Sequence, residues 1–205
     1  MGYFSGFALP PGTVVNPTMG PGGAASLLQV NGINALSVSN FEQLLYFGVN
    51  ATDIITGGAG NDIIAGESGD DRLFGGNGDD TLDSGTGIVD MDGGQGFDVA
   101  SFDLGGLQNG LTIANSANQN LGAGGSLRNF EAYEDIVLGN GVNTVTLSQT
   151  QSVTIASGSG SDTFTVLNAA AEIYVGFGDD NITTGGGNDY IEGSVIPPES
   201  KGLHK

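Results

Sequence analysis

Cysteine and tryptophan are absent, histidine occurs once, and lysine and arginine together number 4 in a chain of 205 residues. Without cysteine there is no disulfide, no thiolate metal site and no thiol nucleophile. The single histidine, His204, stands in the tail. The body therefore lacks a histidine zinc site, an HExxH helix and a base for a serine triad. No GxSxG elbow occurs, and no lysine follows a glycine-rich turn as it does in a phosphate-binding loop. The 23 acids leave a formal charge of −19, which opposes nucleic acid and anionic membrane surfaces because both are polyanions. No run of about 18 apolar residues marks a transmembrane helix, and no basic region followed by an apolar run marks a Sec-type signal. Carboxylates are plentiful, but at these spacings they read as structural ligands ahead of a glycosidase pair. No enzyme is expected.

What the chain has in excess is glycine, 38 residues, arranged with a strict period. From Gly57 to Ser101 it runs through GGAGNDIIA, GESGDDRLF, GGNGDDTLD, SGTGIVDMD and GGQGFDVAS without a gap. The shared pattern is GGxGxDxUx, with U a large aliphatic residue, and only the fourth unit lacks the aspartate, carrying Val89 instead. The glycine-rich part of each unit turns through positive φ at little steric cost, and the rest alternates as a short strand with one side chain inward. Two units make one flattened coil, so that alternate units stack. Asp62, Asp80 and Asp98 then line one edge, and Asp53 and Asp71 the other. Stacked carboxylates repel, and the turn carbonyls add negative ends beside them. A hard cation removes the conflict. Calcium suits the turns because it accepts many oxygen ligands at flexible geometry, whereas magnesium demands tight octahedra and zinc wants His or Cys.

These units resemble the RTX, or hemolysin-type, calcium-binding nonapeptide family. The resemblance implies an all-β fold, a right-handed parallel β-roll or β-solenoid with Ca2+ between its turns. In that family the metal sits between successive turns on one edge. Carried onto this chain, that gives the pairs Asp53/Asp71, Asp62/Asp80 and Asp80/Asp98, with backbone carbonyls around Gly58, Gly60, Gly76, Gly78, Gly94 and Gly96. A second block, SGSGSDTFT, VLNAAAEIY, VGFGDDNIT and TGGGNDYIE, runs from Ser157 to Glu192. There Asp162 pairs with Asp180, Asp189 faces Ala171 as half a site, and the carbonyls lie around Gly176, Gly178, Gly185 and Gly187. In all, about four ions are implied. A site between Asp71 and the Val89 turn is in doubt, although Asp90 lies one step away. Glu42 and Glu131 read first as solvated or turn-bonded carboxylates and second as ligands. The acids Asp70, Asp79 and Asp179 are expected to face solvent. Ile64, Leu73, Leu82 and Met91 in the first block, and Phe164, Ile173, Ile182 and Ile191 in the second, are the expected core.

Each unit fixes nine residues around a single buried aliphatic side chain, too little apolar burial to offset the lost backbone entropy. The metal-free chain is therefore expected to be largely disordered, with calcium binding supplying the folding free energy.

The remaining segments are organised around the two blocks. Residues 1–41 carry no charged residue. Their prolines and glycines favour an extended arm and lead-in. Tyr3, Phe4, Phe7, Leu9, Val14 and Val15 make the arm apolar: it is either a loose leader or a strand that docks on its own or a neighbouring subunit. Between Ala25 and Thr56 the apolar residues alternate, which favours strands over a helix, and GVNATDIIT from Gly48 is already in frame. One solenoid is expected over 42–192, with repeat blocks 48–101 and 157–192 joined by a wider β segment, 102–156. The last residues, 193–205, form a tail. For a chain without catalytic groups two roles compete. One is an extracellular structural protein that self-associates head to tail, through the arm and the solenoid ends, into a filament, surface layer or matrix. The other is a calcium-triggered folding and secretion module of a larger toxin, enzyme or adhesin. Family members commonly leave the cell by type I secretion, which places either role at the cell exterior.

Overall fold

A computed structural model describes residues 26–29, 43–48, 50, 52–115 and 118–194. The arm residues Tyr3, Phe4, Phe7, Leu9, Val14 and Val15, together with Glu42 and the tail beyond 194, lie outside the described residues. The chain winds as a parallel β-solenoid. One face is a nine-stranded sheet that runs its whole length: β1 (Ser26–Gln29), β2 (Leu44–Phe47), β4 (Ile63–Ala65), β6 (Thr81–Thr86), β8 (Val99–Leu104), β12 (Ala132–Leu138), β14 (Val153–Ala156), β16 (Ala171–Val175) and β18 (Tyr190–Gly193). The opposite face is split. Its first part contains β3 (Ile54–Gly58), β5 (Arg72–Asn77), β7 (Val89–Gln95), β11 (Gly125–Arg128) and β10 (Asn118–Asn120), and its second β9 (Thr112–Ala114), β13 (Thr144–Ser148), β15 (Thr163–Leu167) and β17 (Asn181–Thr184).

The period of two nonapeptides sets the register. Leu45 lies opposite Ile63, Ile63 opposite Thr81, and Thr81 opposite Val99, so residues one coil apart in sequence become neighbours in space. β1 pairs with β2 in the same register, which carries the coil back into the lead-in. In the segment 102–156 the coil widens: β12 pairs directly with β8, Ala132 opposite Val99. Its extra length forms the antiparallel pair β10–β11, and β11 closes the first opposite sheet against β7. β9 opens the second sheet by pairing with β13. The nine-stranded face is continuous through this segment, while the other face breaks there.

The core is the stack of inward side chains. Ile55, Ile64, Leu73, Leu82, Met91, Phe164 and Ile173 are all buried. Aromatic rings fill the wide coil, where Tyr133 meets Phe102 edge-on and Phe130 at a tilt. Two expected core positions differ. Ile182 is only partly buried against the core, and Ile191 is 49% exposed. Both sit in the last coil, where an inward side chain has no following coil to close over it among the described residues.

Candidate metal centre

The turns bring the aspartates together as the spacing implies. On the edge leading into the nine-stranded sheet, the Asp62 N–H donates to Asp80 Oδ1 and the Asp80 N–H to Asp98 Oδ1, each at 2.8 Å. The ladder continues at both ends. Leu44 donates to Asp62 Oδ1 at 2.5 Å, and Asp98 donates to Glu131 Oε2 at 2.8 Å. Glu131 is thus turn-bonded and takes the aspartate's place where the coil widens. On the opposite edge Asp53 donates to Asp71 Oδ1 at 2.7 Å. Further on, Asp162 donates to Asp180 Oδ1 at 2.9 Å and Ala171 to Asp189 Oδ1 at 3.0 Å. Asp189 belongs to the terminal coil and is exposed.

In this pattern one carboxylate oxygen holds the preceding coil and the other is left over. The Oδ2 atoms of Asp71, Asp80, Asp98 and Asp162 are buried with no hydrogen-bond partner. An ionised oxygen in that position is costly unless something positive meets it. Burial pushes three of these carboxyls well above the ordinary carboxylate range, opposed only in part by the N–H each accepts. Asp71 and Asp98 are raised to about 6 and Asp80 to about 7, and the neighbouring Asp62, Asp98 and Asp79 add to the shift at Asp80. Asp62 is also raised, by burial first, although Leu44 and Gly58 both donate to it.

Main-chain oxygens converge on the same places. A Cβ at Gly57 would lie 2.2 Å from Asp62 Oδ2 and 2.3 Å from Gly75 O; at Gly75 it would lie 2.2 Å from Asp80 Oδ2 and 2.5 Å from Gly93 O. The turn glycines stack in the same way. Gly76 has φ +119°, and a Cβ there would lie 2.3 Å from Gly58 O. Gly78 sits over Gly60, Gly94 over Gly76, Gly96 over Gly78, Gly176 over Gly158 and Gly178 over Gly160. Gly185 and Gly187 instead lie over Leu167 and Ala170, so the turn before β18 lacks a facing glycine pair. No group of three or more His, Asp or Glu side chains converges among the described residues. A cation held here would take most of its ligands from main-chain carbonyls, which calcium accepts readily. The orphaned carboxylate oxygens beside stacked carbonyls fit that ion.

Three features escape the sequence pattern. Asp90, one step from Val89, points to the outer face, where it meets Arg72 at 3.4 Å, Arg128 at 3.2 Å and Ser126 Oγ at 2.8 Å. It does not supply the carboxylate missing from the fourth unit, because neighbouring strand residues face opposite sides. The acids read as solvated are exposed, but two also bind backbone: Asp70 Oδ1 accepts from Ile88 at 3.0 Å and Asp79 Oδ1 from Phe97 at 2.9 Å. This outer ladder runs opposite to the inner one, from each coil to the next. Finally, the buried Tyr46 hydroxyl bonds the Asp53 carboxylate from inside. Burial, then the Asp53 charge, raises that hydroxyl far above the normal tyrosine range.

A parallel solenoid with carboxylates buried along its edges defines the class, a β-roll. Residues 47–87 and 172–195 match the RTX calcium-binding nonapeptide repeat, in four copies. No curated protein and no solved structure matches the chain. The chain carries RTX calcium-binding repeats on an RTX-type β-roll.

Proposed function

We propose that this is an extracellular, non-enzymatic structural protein whose β-roll folds when calcium fills the edges and whose coils then associate end to end. The observation that carries the calcium part is the set of buried Oδ2 atoms of Asp71, Asp80, Asp98 and Asp162, which lack a protein partner. Calcium held by those oxygens and the neighbouring turn carbonyls would supply the positive charge they lack. Asp53, Asp62, Asp71, Asp80, Asp98, Asp162 and Asp180 are its side-chain ligands in this reading, and Asp189 a half-site. Extracellular modules bind calcium at about 10⁻⁴–10⁻³ M, which makes the cell exterior the place where the fold is switched on and supports type I secretion in an unfolded form.

Support for association comes from the last coil. Ile191 is 49% exposed although Ile155 and Ile173, its predecessors in the stack, are fully buried, and Tyr190 beside it is 52% exposed. Among the described residues, a solenoid end of this kind is an open strand edge with an apolar floor. Head-to-tail contact between unlike ends need not close on itself, and where it does not close it produces a fibre. The test is electron microscopy with light scattering, in millimolar calcium and after chelation. Filaments or sheets that appear only with calcium establish a building block. Dispersed monomers that fold with calcium without associating support the second reading, a folding and secretion module of a longer polypeptide.

A further inference from the structure

Between the two repeat blocks, one residue stands where an aspartate is expected. LGNGVNTVT, from Leu138 to Thr146, fits the nonapeptide frame with Asn143 at the sixth position and the buried Val145 at the eighth. Asn143 is fully buried and occupies the same ladder: its N–H donates to Asp162 Oδ1 at 2.8 Å, and its own Oδ1 accepts from Leu111 at 3.1 Å. That acceptor bond fixes which way the amide points. Its other end, which in an aspartate is the orphaned oxygen, is an NH2. The Nδ2 donates to Gly139 O at 3.1 Å, Gly141 O at 3.2 Å and Asp162 Oδ1 at 3.1 Å. Two carbonyls and a carboxylate are the donor set a calcium ion would gather. Here two amide hydrogens are shared among the three oxygens.

The opposite edge of the same region is closed by another neutral amide. Gln149 Oε1 accepts from the Tyr133 N–H at 3.0 Å, while its Nε2 donates to Tyr133 O at 2.6 Å and Gln151 O at 3.0 Å. Gln149 too is buried. The two amides flank a part of the solenoid filled by buried Phe102, Phe130, Tyr133, Ile136 and Leu147.

We propose that Asn143 and Gln149 are built-in substitutes for the cation: the wide coil closes without calcium, and forms the nucleus on which the two calcium-dependent blocks wind. The side-chain amide places a hydrogen-bond donor where neighbouring coils carry an unmatched negative oxygen. This region therefore avoids the charge conflict that keeps metal-free repeats open. Its coil is also wide and filled with buried aromatic and aliphatic side chains, whose burial offsets part of the backbone entropy it loses. The inference rests on the calcium reading of the flanking ladders.

The test is hydrogen exchange read by mass spectrometry on the full chain, with chelator and then in millimolar calcium. With chelator, protected amides are expected in β12, β13 and β14, while β4 to β6 and β15 to β18 exchange freely; calcium then protects the flanks. If the flanks respond to calcium but the centre is equally open without it, the nucleus proposal fails and the calcium reading stands. If calcium protects nothing, the calcium reading itself fails. Asn143→Asp gives an independent measurement, calcium stoichiometry by isothermal titration. The variant is expected to bind one more ion than the parent and to lose the chelator-resistant protection of β13. Unchanged stoichiometry with protection retained would mean that the amide is not standing in for a metal. Should the variant not fold even in calcium, the exchange pattern of the parent chain still decides.

Discussion

At the scale of single residues, the two oxygens of each ladder aspartate have different jobs. In Asp80, Oδ1 accepts the buried Asp62 N–H and Oδ2 is left for a cation. Asp80→Ala leaves a buried N–H unpaired, at a cost of about 1–3 kcal/mol, and removes a carboxylate that the proposed calcium ladder would share between two sites. Asp179 lies exposed on the outer turn, and Asp179→Ala is expected to cost under about 0.5 kcal/mol. In a calcium titration followed by circular dichroism, the Asp80 variant should shift its midpoint to roughly tenfold higher calcium. The Asp179 variant should track the parent, and equal shifts would reject the ladder register. The same carboxyls fix a pH dependence. In the metal-free fold Asp71 and Asp98 are raised from 3.8 to about 6 and Asp80 to about 7. The folded state then holds protons that the unfolded chain has already released, so the stability of the metal-free fold is greatest below about pH 4 and declines as pH rises toward 7. Calcium must displace those protons, so its affinity weakens as pH falls below about 7. With chelator present, β-structure should be stronger at pH 4.5 than at pH 7.5; the reverse order would overturn the assignment of these groups.

At the scale of turns and strands, the close stacking of glycines makes a second prediction. Gly76 has φ +119° and Gly58 O beneath it, whereas a methyl group added at Gly186 would meet nothing within 4 Å. Gly76→Ala should destabilise the calcium-bound fold by about 1–3 kcal/mol, and Gly186→Ala should be close to neutral. Thermal melts in saturating calcium compare the two, and similar melting temperatures would show that the turns do not stack this tightly. These turns, their register and the ladder of Asp62, Asp80 and Asp98 were legible in the sequence, because a nine-residue period leaves only one way for like residues to stack. What was not legible depends on neighbours distant in sequence. Tyr46 and Asp53 are only seven residues apart, yet their contact, too, depends on how the coil turns between β2 and β3. Asp79 reads as a solvated acid until the Phe97 N–H is placed beside it by the next coil. Asn143 has Gly139 and Gly141 close by in the chain, but its bond to Asp162 emerges only once coils are stacked. Its position in the nonapeptide frame was the available signal.

At the scale of the whole molecule, the solenoid is continuous on one face and interrupted on the other, and its stability is set coil by coil. An interior coil has a neighbour on each side, so Ile173→Ala is expected to cost about 2–5 kcal/mol, as for other fully buried aliphatic side chains. The terminal coil has one neighbour, and its Ile191 is 49% exposed. Ile191→Asp should therefore leave calcium-induced folding nearly unchanged while removing the apolar floor on which another end would sit. If end-to-end contact drives assembly, this variant should remain dispersed in calcium under conditions where the parent scatters light. Polymers of undiminished length would locate the joint elsewhere. Deletion of residues 1–23 makes the complementary cut, since it removes the uncharged segment with Tyr3, Phe4 and Phe7 and spares every ladder aspartate. Loss of assembly in both variants, with calcium-induced circular dichroism intact in both, would mean that the arm and the open coil are two halves of one contact. Loss in only one would assign the contact to that end and leave the other a stability element of the single chain.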